Sequence, residues 1–172
     1  ENLLLEAPTG SGKTMAILYP AIRAQDEYDQ LFFLTNRTSG ARAALDAVKD
    51  IDSEGRRIST VELTAKEKIC LVEGMPCDAE QCSYAKGYFD RVQPAVTELL
   101  QLGLASREKI IATATKHTVC PFELSLDAAL WSDVIVGDYN YAFDPVVRLQ
   151  RFNGHPDLHL LIDEAHNLSA RA

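Results

Sequence analysis

Leu3-Leu4-Leu5-Glu6-Ala7-Pro8-Thr9-Gly10-Ser11-Gly12-Lys13-Thr14 is the stretch that decides the fold. The leucine triplet reads as a short buried strand feeding a glycine-rich turn. Lys13–Ala24 behind it reads as a helix whose amino end lies at the turn. A strand, such a turn and a helix start gather several backbone N–H groups around one anion. Gly10 and Gly12 allow the tight loop and the close approach of a phosphate. Lys13 would reach the β- and γ-phosphates of a nucleotide, and the Thr14 hydroxyl would hold Mg²⁺. Ala7, Pro8, Thr9 and Ser11 complete the candidate loop, with Ala7 where the general pattern has its first glycine. An ordinary Gly-rich turn is the rival interpretation. Gly-Lys-Thr falling where strand meets helix weighs against it.

Outward from the loop, strand and helix alternate. Leu31-Phe32-Phe33-Leu34-Thr35 is a compact apolar strand, Ser39 can cap a helix running to about Lys49, and Ile58–Leu63 is a third strand. This order implies a parallel sheet with helices on its faces. The alternation breaks near Ala65 and leaves one further helix, Ala95–Leu104. It returns with a helix at Glu123–Leu130 and strands at Asp133–Gly137 and Leu158–Ile162. The chain is therefore expected to divide into residues 1–64 as the first part of an α/β domain, 65–120 as an insert, and 121–172 as its continuation.

Leu160-Leu161-Ile162 runs straight into Asp163-Glu164-Ala165-His166. Two carboxylates at the end of a buried strand lie on the sheet edge that carries the phosphate loop. Asp163 would hold Mg²⁺, and Glu164 would orient or deprotonate an attacking water. Lys13, Asp163 and Glu164 are thus the candidate catalytic set.

Four cysteines, Cys70, Cys77, Cys82 and Cys120, lie between the two nucleotide motifs with spacing C-x6-C-x4-C-x37-C. Sulfur softness favours iron–sulfur or zinc. No pair has the C-x2-C spacing of common zinc knuckles. A cluster of four irons tolerates wider spacing, because each thiolate reaches its own iron. Spacing alone leaves zinc and cluster equally open. His117 could replace a thiolate in a zinc site, and reads more simply as a surface or packing residue.

The net charge of −8 speaks mildly against nucleic acid. Residues 66–120 hold equal numbers of basic and acidic side chains, so the excess acid lies elsewhere. No apolar run approaches a membrane span, and the amino end has no basic leader. A cytoplasmic compartment follows, where thiols serve metals rather than disulfides. The ends read as cuts in a longer protein.

With these segments in this order, the chain resembles the XPD/DinG-type DNA helicases of superfamily 2, which carry an iron–sulfur domain. The resemblance rests on Glu6–Thr14, Leu34-Thr35-Asn36-Arg37-Thr38, the cysteines, Asp138-Tyr139-Asn140-Tyr141-Ala142-Phe143-Asp144-Pro145 and Asp163–His166. It implies a RecA-like motor domain interrupted by a small, mostly helical iron–sulfur insert. It implies a [4Fe–4S] cluster on Cys70, Cys77, Cys82 and Cys120, and ATP with Mg²⁺ at the loop and at Asp163, Glu164 and His166. It implies ATP-driven 5′-to-3′ movement on single-stranded DNA, with fork or bubble duplexes as substrates and no membrane partner. An isolated piece would hydrolyse ATP weakly. The compact spacing of the first three cysteines points toward a bacterial or phage branch. The alternative is an ATP-binding adaptor with structural zinc.

The resemblance also implies that Leu34–Thr38 touches the DNA backbone; Arg37 and the Thr35 and Thr38 hydroxyls suit phosphate, although Arg37 taken alone reads as a solvated loop charge. Tyr84, Lys86, Tyr88, Phe89 and Arg91 crowd behind Cys82, and rings interleaved with cations suit single strands. Tyr88 and Arg91 are the expected contacts there, while Tyr84 and Phe89 are assigned to the insert's core. Asn140 and Tyr141, past a strand end, complete the candidate DNA surface.

Overall fold

A computed structural model of the chain describes residues 3–8, 10–26, 29–52, 57–72, 74, 76–144, 147, 149–152 and 157–170. Five parallel strands form one sheet: β1 (Gln30–Leu34), β2 (Thr60–Glu62), β3 (Leu104–Ala105), β4 (Val134–Gly137) and β5 (Leu158–Ile162), in the order β3-β2-β4-β1-β5. The helices are α1 (Lys13–Ala24), α2 (Thr38–Asp52), α3 (Lys66–Ile69), α4 (Tyr88–Gln101), α5 (Arg107–His117), α6 (Pro121–Ala129) and α7 (Asn140–Phe143). Single 3-10 turns cover Gln150–Phe152 and Ala165–Ala170.

Side chains alternate across a strand, so the apolar run of β1 must be covered on both sides. Leu31 and Phe33 join Val134 and Val136 under α1 and α2, in a core with Leu18, Ile22, Ala44 and Val48. Phe32 and Leu34 join Val61 and Ile135 on the opposite face, under Leu99 of α4, Ile110 of α5 and Leu124 of α6. The result is a three-layer α/β domain.

Several boundaries differ from those read in the sequence. Helix α2 begins at Thr38 rather than behind a Ser39 cap, and extends to Asp52. Helix α4 begins at Tyr88, well ahead of Ala95, because Val92 and Ala95 lie on the buried stripe that continues to Leu99. Neither α5 nor β3 shows as a clear signal in the sequence. β3 has only two residues, and α5 buries only Ile110, Thr113 and Ala114. Both fall inside the expected 65–120 insert, yet β3 pairs with β2, and α4 and α5 form part of one face of the domain.

Leu3–Leu5 does not form the expected buried strand. All three leucines are exposed, Leu3 at 94%. A strand needs a neighbour to satisfy its backbone, and no described residue pairs with this triplet. On the outer side of β5, likewise, no described strand is present.

Candidate functional site

Because every strand is parallel, the carboxyl ends of β1, β4 and β5 reach the same edge of the sheet. Thr35, Asp138 and Asp163 follow those ends directly. Asp163 is held from several sides. The Thr35 hydroxyl lies 3.5 Å from its Oδ2. Its backbone N–H donates to the Leu34 carbonyl at 2.9 Å, and the buried Tyr139 hydroxyl donates to its carbonyl oxygen. Gly40 of α2 packs so closely that an added Cβ would lie 3.1 Å from Asp163 Oδ2.

Glu164 follows in a left-handed conformation, φ 52°, rare for a side chain of this size. The Asn167 backbone N–H and side-chain amide close the turn on the Glu164 carbonyl at 3.0 and 3.2 Å. His166 Nδ1 stands 3.5 Å from Glu164 Oε2. The closed turn fixes the backbone from which the Glu164 carboxylate projects.

At the glycine-rich loop, Gly10 and Gly12 both have positive φ, 81° and 79°, as a tight phosphate turn requires. Gly12 caps α1, leaving the first-turn N–H groups of that helix at the loop. The Lys13 ammonium donates to the Ala7 and Pro8 carbonyls at 2.8 and 3.3 Å, drawing the loop around it. Thr14 is half-buried on the first turn of α1, and Ser11 is exposed beside it. Thr9 lies outside the described residues.

The four cysteines line one cavity of about 480 Å³, together with Lys66, Tyr84, Pro121 and Phe122 among others. All four thiols are unpaired. Cys120 stands at the amino end of α6, where the Phe122 and Glu123 backbone N–H groups donate to its sulfur and favour the thiolate, while burial pushes the thiol up more strongly. A hydrogen bond with Cys77 raises the Lys66 ammonium above its ordinary range. Among the described residues, no three His, Cys, Asp or Glu side chains converge closely enough to hold one metal ion. Four soft sulfur donors around one cavity suit iron–sulfur or zinc. His117 is not a ligand: its Nε2 lies 2.8 Å from Glu98, which bridges it to Lys116.

The expected DNA residues part company. Arg37 and Thr38 are exposed at the start of α2. Thr35 is buried, and its hydroxyl accepts the Arg37 backbone N–H at 3.3 Å while facing Asp163, so it looks inward rather than toward a bound strand. Tyr88 is 7% exposed and donates its hydroxyl to Asp127 at 2.8 Å, whereas its neighbour Phe89 is 86% exposed. The burial of these two rings is therefore the reverse of that expected. One helical step turns the side chain by about 100°, and the cluster's composition gave no hint which ring faced in. Arg91 spends its donors on backbone carbonyls. Tyr141 is buried, its hydroxyl pushed up to about 12 mainly by desolvation, and Asn140 is half-buried at the start of α7. Pro145 lies outside the described residues.

Comparison with known proteins follows the same lines. The DEAD_2 family model matches residues 37–172. The chain belongs to the DEAD_2 family. It is 24% identical to the regulator of telomere elongation helicase 1 homolog of Caenorhabditis elegans, over 96% of this chain and 21% of that protein. It is 22% identical to the general transcription and DNA repair factor IIH helicase subunit XPD/RAD3 of Saccharomyces cerevisiae, over 97% of this chain and 26% of that one. A solved structure described as XPD helicase superposes with a TM-score of 0.63 at 24% identity, covering 96% of this chain and 29% of that one. A truncated XPD gives 0.62 at 27% identity, covering 94% and 47%. The chain thus spans about a fifth to a quarter of the length of these curated relatives. Its sheet and helical layers are RecA-like, as the sequence led us to expect. These relatives are eukaryotic, which lends the expected bacterial or phage branch no support. No helix among the described residues is long and apolar enough to cross a membrane.

Proposed function

We propose that the full-length protein is an ATP-dependent DNA helicase of the iron–sulfur type, moving 5′-to-3′ on single-stranded DNA. The observation that carries this reading is the single cavity lined by Cys70, Cys77, Cys82 and Cys120, set in a chain that also presents a phosphate loop and a fixed Asp163–Glu164 turn. The relatives that the chain matches are themselves described as helicases.

In this reading the loop N–H groups of residues 10–14 bind the nucleotide phosphates, and Lys13 leaves its loop carbonyls for the β- and γ-oxygens. Thr14 and Asp163 would hold Mg²⁺, which when bound would supply positive charge beside the phosphates. Glu164 orients the attacking water and takes its proton, with His166 beside its carboxylate. Thr35 lies between Asp163 and the exposed Arg37–Thr38 segment, so a change at the nucleotide reaches the DNA-facing surface within one side chain. Arg37 and Thr38 hold the DNA backbone, and Phe89 with Lys86 supplies a stacking ring and a cation.

The four cysteines that line the cavity would hold a [4Fe–4S] cluster, which would tie together the segments that bear them. Lys66 beside Cys77 offsets the negative charge of the thiolates.

The test is to purify the full-length protein without oxygen and to measure iron, sulfide, zinc and unwinding. About 4 irons and 4 sulfides per chain, with unwinding of 5′-tailed but not 3′-tailed duplexes that Lys13→Ala abolishes, is the expected result. One zinc without sulfide would refute the cluster, and 3′-tail dependence would refute the direction.

A further inference from the structure

Resting on the cluster reading, we propose that Arg91 is a positioning residue that locks the turn bearing Cys82 to the turn bearing Cys120. Arg91 lies in the first turn of α4. Its Nε and Nη2 donate to the Thr118 carbonyl at 3.1 and 2.8 Å. Nη2 also donates to the Ser83 carbonyl at 3.3 Å and to the Lys86 carbonyl. Ser83 and Lys86 belong to the turn that begins at Cys82, where the Ala85 and Lys86 N–H groups donate to the Cys82 carbonyl at 3.0 and 2.9 Å. Thr118 stands two residues before Cys120. One guanidinium therefore spans two segments whose cysteines, Cys82 and Cys120, have 37 residues between them in sequence.

The backbone around the guanidinium is shaped to it. Thr118 ends α5 in a left-handed conformation, φ 54°, that turns the chain toward Cys120. Gly87 is also left-handed, φ 63°, and a Cβ there would lie 2.9 Å from Arg91 Nη1. A rigid planar fork can hold two carbonyl groups at a fixed separation, which a lysine's single ammonium on a flexible stem cannot do. Arg91 acts on the metal site through the thiols whose turns it joins.

The test uses full-length protein as wild type, Arg91→Gln, Arg91→Lys and Gly87→Ala, with circular dichroism to verify folding. The first readout is anaerobic release of iron to a chelator. Loss of an outer partner of a metal ligand typically weakens the site about 10-fold to 100-fold, so Arg91→Gln should release iron at least about tenfold faster. Arg91→Lys should fall between, and Gly87→Ala, which keeps the fork but crowds it, should also be faster. The second readout needs no metal. In stripped protein with Cys70→Ser and Cys77→Ser, dibromobimane bridging of Cys82 to Cys120, mapped by mass spectrometry, should slow markedly on Arg91→Gln. Unchanged bridging, or full rescue by lysine, overturns the lock. A wild type without iron or sulfide, but with bridging that depends on Arg91, would sink the cluster reading and leave the lock standing.

Discussion

Replacing Gly40 by alanine adds one methyl group between Asp163 and Thr35, the residue that leads into the exposed Arg37–Thr38 segment. The new Cβ would lie 2.4 Å from Thr35 Oγ1, 3.2 Å from Thr35 Cβ and 3.1 Å from Asp163 Oδ2. Thr35 cannot step aside cheaply. It is 3% exposed and β-branched, so rotation about χ1 brings its methyl group into the space the hydroxyl leaves. Overpacking of this kind costs about 1–3 kcal/mol, and losing the hydroxyl's hydrogen bond to the Arg37 N–H costs about 1 kcal/mol. Alanine returns about 1 kcal/mol as a better helix former. The net is about 2 kcal/mol of destabilisation, or ~4–8 °C in Tm for a chain of this size. Urea denaturation and thermal melting read it directly. Thr35→Ala in the same chain removes the 2.4 Å contact, so the double variant should recover at least ~1 kcal/mol relative to additivity. In full-length protein, ATP turnover should fall with Gly40→Ala, because the methyl also displaces Asp163. A Gly40→Ala protein as stable as wild type, or strict additivity with Thr35→Ala, would refute the reasoning.

Other perturbations separate structural from binding roles. Tyr88→Phe leaves Asp127 without its 2.8 Å donor and should cost about 1–2 kcal/mol in urea denaturation, with no change in single-strand affinity. Phe89→Ala should do the reverse, with stability within about 0.5 kcal/mol and single-strand binding weaker by ~1–3 kcal/mol in a fluorescence titration. Glu98 has its carboxyl held below the ordinary 4.5 by hydrogen bonds from His117 and Lys116, so its contribution is complete above that value and fades as pH falls through the lowered one. Melting of Glu98→Gln should therefore trail wild type near neutral pH and converge with it on acidification; a gap that persists in acid would contradict the bridge between α4 and α5.

Much of the architecture was legible because it rests on local rules. The run Leu31–Leu34 announces a strand covered on both faces, and the Gly12–Lys13 junction marks the start of α1 to the residue. Leu158–Ile162 is a strand at the expected bounds, with the carboxylates at its end, but it is a partly exposed edge strand rather than the buried one expected. What stayed hidden depends on long-range geometry. Helix α5 carries Thr113 and Thr115 among few apolar residues, so its burial is set by α4 and α6 rather than by its own pattern. Nothing in the spacing of Tyr88 and Phe89 tells which ring faces Asp127. The roles of Tyr139 and Arg91 lie in contacts made 24 and 27 residues away along the chain. Gly40 did leave a trace: a glycine inside a helix is unfavourable unless something needs the space.

The outer flank of β5 has a consequence for handling the molecule. Its sequence, Leu158-His159-Leu160-Leu161-Ile162, has no lysine, glutamate or proline to repel a second strand. Leu160 is 42% exposed there, and Leu3–Leu5 adds further sticky surface. Natural sheets guard such a rim with charge, bulges or a covering element, because bare N–H and C=O groups template addition of another chain. A preparation of these 172 residues alone is accordingly prone to self-association through that rim as concentration rises. A lysine at Leu160 would act as a gatekeeper against it while leaving the inward-facing cores untouched.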